Sequence, residues 1–121
     1  MERVLIVEDE PELLALAASL FRSIGYDVLS ASNGADARLI IERDPAAVHV
    51  LFTDLVMPGT TGLELAEWVS ATHPDIQVVL TSGYSTPEVG NERERMRRYP
   101  FVAKPYSLAD LAKSLRLATA K

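Results

Sequence analysis

Hydrophobic positions along the chain alternate between short unbroken runs and segments where apolar residues recur every three or four positions. Residues 4–7, Val-Leu-Ile-Val, form a β-branched-rich run, the pattern of a strand buried on both faces. Leu13, Leu16, Ala17, Leu20 and Ile24 then recur at helical spacing, and Gly25 supplies a C-terminal stop. Residues 26–30 read as a second strand. Asn33-Gly34 opens a helix that runs to about Arg43 and is closed by Asp44-Pro45. Residues 48–53 predict a third strand with Asp54 just beyond its core, 63–72 a third helix stopped by His73-Pro74, 76–80 a fourth strand and 101–103 a fifth. The last helix begins at Ser107, where Ser-x-x-Asp to Asp110 makes a capping box and Leu108, Leu111, Ala112 and Leu115 supply the buried stripe. Residues 87–98 have almost no apolar face and predict a short or mobile helix.

Strands alternating with helices make βα units, hence an α/β domain with a parallel five-stranded sheet, helices on both faces and right-handed crossovers. The expected strand order is 2-1-3-4-5, and the 121 residues make one domain, 1–121. Four polar interruptions stand at the C-terminal ends of apolar runs: Glu8-Asp9-Glu10, Asp54, Thr81-Ser82 and Lys104-Pro105. In an open parallel sheet the carboxyl ends of the strands border the ligand crevice, so these residues converge on one pocket. Crowded carboxylates require a cation, and hard oxygen ligands suit Mg²⁺. With a hydroxyl and a lysine beside them, they describe a site for a divalent cation and a phosphoryl group, with Asp54 as its natural acceptor.

Composition narrows the setting. With 48% hydrophobic residues, 24% charged and a net charge of -5, the chain reads as a globular protein with no direct nucleic-acid partner. It has no cysteine, which excludes disulfides, thiolate chemistry and cysteine-based zinc sites and suits a reducing cytosol. There is no basic leader region and no apolar stretch near the ~20 residues that span a bilayer. A cytoplasmic protein, neither secreted nor membrane-embedded, is expected. Each motif alone has a plainer reading: acidic residues before Pro11 suit a helix N-terminus, Asp54 a turn, Thr81 and Ser82 a cap, Lys104 a solvated surface. Their joint order favours the site. Trp68 reads as packing, and His49 and His73, without metal-pair spacing, as structural.

The chain resembles the receiver domain of two-component response regulators from about Arg3 to Leu117, and nearly every residue is covered. The resemblance rests on Val-Glu-Asp-Glu at 7–10, Asp-Leu-Val-Met-Pro-Gly at 54–59, Gly-Leu-Glu-Leu at 62–65, Thr-Ser-Gly-Tyr at 81–84 and Lys-Pro-Tyr at 104–106. It implies a doubly wound (βα)5 flavodoxin-like fold and a phosphorelay role. Asp54 would accept phosphate from a phosphohistidine on a sensor histidine kinase or histidine phosphotransfer protein. Glu8, Asp9, Asp54 and the Val56 carbonyl would hold Mg²⁺, Thr81 and Lys104 would contact the phosphoryl group, and Ser82, Phe101 and Pro105 would belong to its switching surroundings. The resemblance also implies a cis Lys104-Pro105 bond and a face of the fourth helix, fifth strand and last helix that an unknown downstream protein reads. Val56 and Gly83 stand where relatives place water-positioning side chains, so slow loss of phosphate is expected.

Two other classes fit less well. Mg²⁺-dependent phosphatases or phosphotransferases with an aspartyl phosphate resemble one another in an Asp-x-Asp motif, whereas Asp54 is followed by Leu55 and Val56. A flavodoxin-like binding protein needs a phosphate cradle after the first strand, where Glu8-Asp9-Glu10 would repel a phosphate. Whether the chain is a stand-alone receiver or one part of a hybrid kinase or longer regulator stays open, as does the oligomeric state.

Overall fold

The computed structural model describes residues 2–57, 59, 61–82 and 92–119. Five parallel strands, β1 (Arg3–Val7), β2 (Asp27–Ala31), β3 (Val50–Asp54), β4 (Gln77–Ser82) and β5 (Phe101–Ala103), form one sheet in the order β2-β1-β3-β4-β5. Between them run α1 (Pro11–Ser23), α2 (Gly34–Arg43), α3 (Gly62–Thr72) and α4 (Glu92–Met96), and α5 (Leu108–Thr119) follows β5. The expected fold and strand order are therefore present.

The period-2 geometry of the strands divides the core in two. Leu5, Val7, Leu51, Val78 and Leu80 face α2 and α3, where Ala37, Ile41, Leu65, Ala66 and Val69 are buried, and Met96 of α4 joins them. Val4, Ile6, Val50, Phe52, Val79 and Val102 face α1 and α5, meeting Ala17, Ala18, Phe21, Leu111 and Leu115. Both faces are covered, which is why β1 and β3 lack polar alternation.

Local chemistry sets the helix ends. Asn33 accepts the Asp36 N–H at 2.8 Å, Thr61 Oγ1 accepts the Glu64 N–H at 3.1 Å, and Ser107 and Asp110 bond reciprocally at 3.1 and 2.9 Å as the capping box requires. Gly25 stops α1 at φ +94°, a conformation that favours glycine. Some expected positions shift. The stripe of α1 that is buried is Ala17, Ala18 and Phe21, while Leu16 is exposed, and Leu108 of α5 is exposed too. The Tyr26 N–H bonds back to Phe21 O, so β2 starts one residue late, and a 3-10 turn at Pro45–Ala47 delays β3 to Val50. Strands β3 and β4 run on through Asp54 and Thr81-Ser82, because polar residues at a sheet's end keep the ladder's backbone bonds. Of the weakly patterned 87–98 segment, α4 is a helix of five residues, and positions 87–91 lie outside the described residues.

Helix α3 approaches β3 so closely that a Cβ on Gly62 would lie 2.0 Å from the Asp54 carbonyl oxygen and 2.9 Å from Leu55 Cα. Both neighbours are backbone, so nothing flexible can yield. Gly62→Ala is expected to cost about 1–3 kcal/mol, the usual range for overpacking. Urea denaturation checks this, and unchanged stability would mean that α3 can lift off β3 freely.

Candidate functional site

The register of the sheet brings the sequence motifs together. Val7 pairs with Thr53, Asp54 with Thr81 and Ser82 with Ala103, so Glu8, Asp54, Thr81 and Lys104 all emerge at the carboxyl edge of β1, β3, β4 and β5. Backbone bonds extend the ladders past the strands: Glu8 N–H to Ala31 O at 3.1 Å, Leu55 N–H to Thr81 O at 2.9 Å and Lys104 N–H to Ser82 O at 3.0 Å. The loop after Asp54 is tied down by Leu55 and Met57, both buried in the core, while Val56 between them is 54% exposed.

Lys104 lies at the centre. Its Nζ donates to Glu8 Oε1 at 2.5 Å and to Asp54 Oδ2 at 3.0 Å, and both carboxylates are nearly buried, at 4% and 6% exposure. Asp54 Oδ1 accepts the Val56 N–H at 3.3 Å, and Glu8 Oε2 accepts the Glu10 N–H at 3.3 Å. Burial pushes the Glu8 carboxyl above the ordinary glutamate value, and the Asp54 charge adds to this against the opposing bond from Lys104. Burial would lower the Lys104 ammonium, but its bonds to Glu8 and Asp54 outweigh that and raise it.

One carboxylate oxygen each from Glu8, Asp9 and Asp54 lies within 4.8 Å of the others, so the trio is able to hold a metal ion. All three donors are hard oxygens, the set that suits Mg²⁺. Thr81 Oγ1 is buried and has no hydrogen-bond partner among the described residues, a costly condition for a hydroxyl in the interior. Ser82 is buried beside it, Phe101 lies on the outer strand at 36% exposure, and the peptide before Pro105 is cis. Gly83 and Tyr84 fall outside the described residues. Tyr106 follows Lys104-Pro105 at the rim of the site. Its ring packs edge-on against Phe52 with centroids 5.5 Å apart, and burial pushes its hydroxyl up to about 12. Only the aromatic after Lys-Pro hinted at it.

The histidines lie away from this pocket. His49 Nδ1 accepts the Arg3 N–H at 2.9 Å, and His73 packs edge-on against Trp68. Trp68 is part-buried against the core with the Arg38 guanidinium 4.4 Å from its ring centroid.

Residues 4–116 match the family described as "Response regulator receiver domain". The chain belongs to that family, and its role is phosphorelay signalling in two-component systems. It is 33% identical over 113 residues to the sensor kinase CckA of Brucella abortus (strain 2308), covering 93% of this chain and 12% of that protein. It is 28% identical to the response regulator receiver protein CpdR of the same organism, covering 95% of this chain and 94% of CpdR. The chain thus spans about an eighth of one relative and nearly all of the other. The response regulator TrrA of Thermotoga maritima, solved in complex with Mg(2+)-BeF, superposes with a TM-score of 0.84 at 24% identity over 98% of this chain and 99% of TrrA.

Because the folded-state pKa of Glu8 lies above the unfolded value, its protonated form favours folding. Stability contributed there is present below 4.5 and is lost as pH rises through the raised value. Glu8→Gln is therefore expected to melt higher than the wild type at pH 7 in EDTA, with the gain shrinking towards pH 4. Melting curves across that range test it, and a gain that grows on acidification would contradict the burial argument.

Proposed function

We propose that Asp54 is the phosphoacceptor of this receiver domain and takes its phosphoryl group from a phosphohistidine on a sensor histidine kinase or histidine phosphotransfer protein. The observation that supports this reading is the Lys104 ammonium touching Glu8 and Asp54 at once, in a pocket where the Thr81 hydroxyl has no partner among the described residues. In the transfer, an Asp54 carboxylate oxygen bonds to phosphorus as the P–N bond breaks. The departing imidazole keeps the bond's electron pair and takes up a proton. Lys104 neutralises charge on the transferred oxygens as a compact point charge, and being already held beside Asp54 it needs little reorganisation. A phosphoryl oxygen would offer the Thr81 hydroxyl an acceptor, and among the described residues it has none.

Glu8, Asp9, Asp54 and the Val56 carbonyl are the groups that would hold Mg²⁺, and the all-oxygen trio supports that choice. Bound there, Mg²⁺ supplies charge neutralisation for an anionic phosphoryl group approaching a carboxylate. The Mg(2+)-BeF complex of TrrA is consistent with such a site. On this reading the whole of 1–121 acts as one receiver domain that catalyses only its own phosphorylation and dephosphorylation. It works in the cytoplasm, a setting that the cysteine-free composition suits, without contacting nucleic acid directly. Its output is a change of the α4-β5-α5 face. Phe101 pairs with Leu80, next to Thr81, and lines a groove of about 410 Å³ with Pro105, Lys113 and Leu117. Movement of Thr81 towards a phosphoryl group, with Ser82 following, frees space into which Phe101 turns, through packing alone because it has no hydroxyl. A downstream protein reads that face.

With Mg²⁺ and a small acyl phosphate donor, the intact protein is expected to gain one acid-stable, base-labile phosphoryl group, and Asp54→Asn to abolish it. Mass spectrometry of both proteins decides the matter: efficient labelling of the variant would remove Asp54 from the role.

Asp9→Asn tests the metal set separately. Removing one of three mutually repelling charges is expected to raise the melting temperature in EDTA and to shrink the shift produced by millimolar Mg²⁺. Equal metal shifts in the two proteins would exclude Asp9 as a ligand.

A further inference from the structure

Away from the phosphoacceptor pocket, the outer side of α2 carries a stripe that the proposed function does not use. Asp36, Leu39, Ile40 and Arg43 stand at positions i, i+3, i+4 and i+7 and so share one face of the helix. Ala37 and Ile41 are buried in the core and Ile40 is half-buried against it, so Asp36, Leu39 and Arg43 are the outward members of the stripe. Leu39 is 61% exposed, the highest value among the large apolar side chains of the described residues. The stripe borders an open groove of about 470 Å³ at the sheet's edge, with Leu14 of α1 across from it and Ser30 and Ala31 of the edge strand β2 as the floor.

The order of chemistry along the stripe is acid, apolar, apolar, base. Asp36 lies in the first turn, oriented by the Asn33 side-chain amide at 3.1 Å, and Arg43 lies in the last turn. About 10 Å of helix separates them. Such a stripe is complementary to itself when a second copy lies antiparallel about a two-fold axis through the midpoint of Leu39 and Ile40. Asp36 then meets Arg43 of the second copy twice over, and Leu39 of each copy faces the groove of the other. That is the condition for an isologous interface. We propose that this α2 face is a weak homodimer contact, formed by the α2 helices of two copies of the chain packed antiparallel. The surface is small, which suits a concentration-dependent, transient dimer. Both acceptor pockets and both α4-β5-α5 faces lie elsewhere on the fold, so the pairing leaves them open.

Charge reversal tests the geometry. Sedimentation velocity from about 10 µM to about 1 mM, the range of weak association, is expected to show the wild type moving from monomer to dimer. Asp36→Arg and Arg43→Asp each create two like-charge contacts per dimer and are expected to weaken association at least tenfold. An equimolar mixture of the two variants restores both pairs, so it is expected to associate as the wild type does. Leu39→Asp is expected to abolish the dimer, while circular dichroism confirms that each variant is folded. A wild type that stays monomeric throughout would overturn the proposal. So would a mixture no more associated than its components, or a Leu39→Asp variant that dimerises unchanged.

Discussion

One ammonium group shared between two nearly buried carboxylates is the contact on which the carboxyl edge of this molecule depends. Glu8 directly follows β1 and Asp54 ends β3, its neighbour in the sheet, so the fold forces their charges together. Removing Lys104 would leave both without compensation, a far more costly state than the pair itself is favourable. Yet one positive charge among Glu8, Asp9 and Asp54 leaves the pocket acidic, which is what gives it an appetite for a cation. The two apolar layers hold the strands in register, so these charges meet without any rearrangement of their own.

The sequence carried the architecture because periodicity and polarity agreed along most of its length. Strands β1 and β3 were legible from unbroken apolar runs, and the helix starts at Asn33 and Ser107 from side chains that bond to specific backbone N–H groups. Pattern failed where solvent and core compete over similar residues. Leu16 and Leu108 look like core leucines, but the close approach of α1 and α5 to the sheet is made by Ala17, Ala18 and Leu111 instead. Strand ends were misread at Asp54 and Thr81 because a polar side chain says nothing about whether its backbone stays in the ladder. At the site, the motifs told which residues gather. They did not tell that the Thr81 hydroxyl has no partner among the described residues, or that Val56 offers its N–H to Asp54, since both depend on backbone orientation.

Helix α3 links the Asp54 end of β3 to the other side of the molecule. Its first residue, Gly62, presses on the Asp54 carbonyl. Further along, Glu67 takes a two-point ion pair from Arg95 of α4, with the Nε contact at 2.8 Å, and the Ser70 hydroxyl donates to the Tyr99 hydroxyl at 3.2 Å. A helix as short as α4 gains little from its own backbone bonds, so these contacts and the buried Met96 hold it where it is.

That strap separates two things natural selection can tune. Glu67 and Ser70 lie on the outside of α3, away from the acidic trio, and their partners Arg95 and Tyr99 border the α4 face that the proposed function assigns to other proteins. Changes at these four positions would alter how readily the α4 side gives way while leaving the acidic trio untouched. A lineage that duplicates this domain could therefore diverge in what its copies talk to, and how firmly, while every copy keeps the same way of being charged.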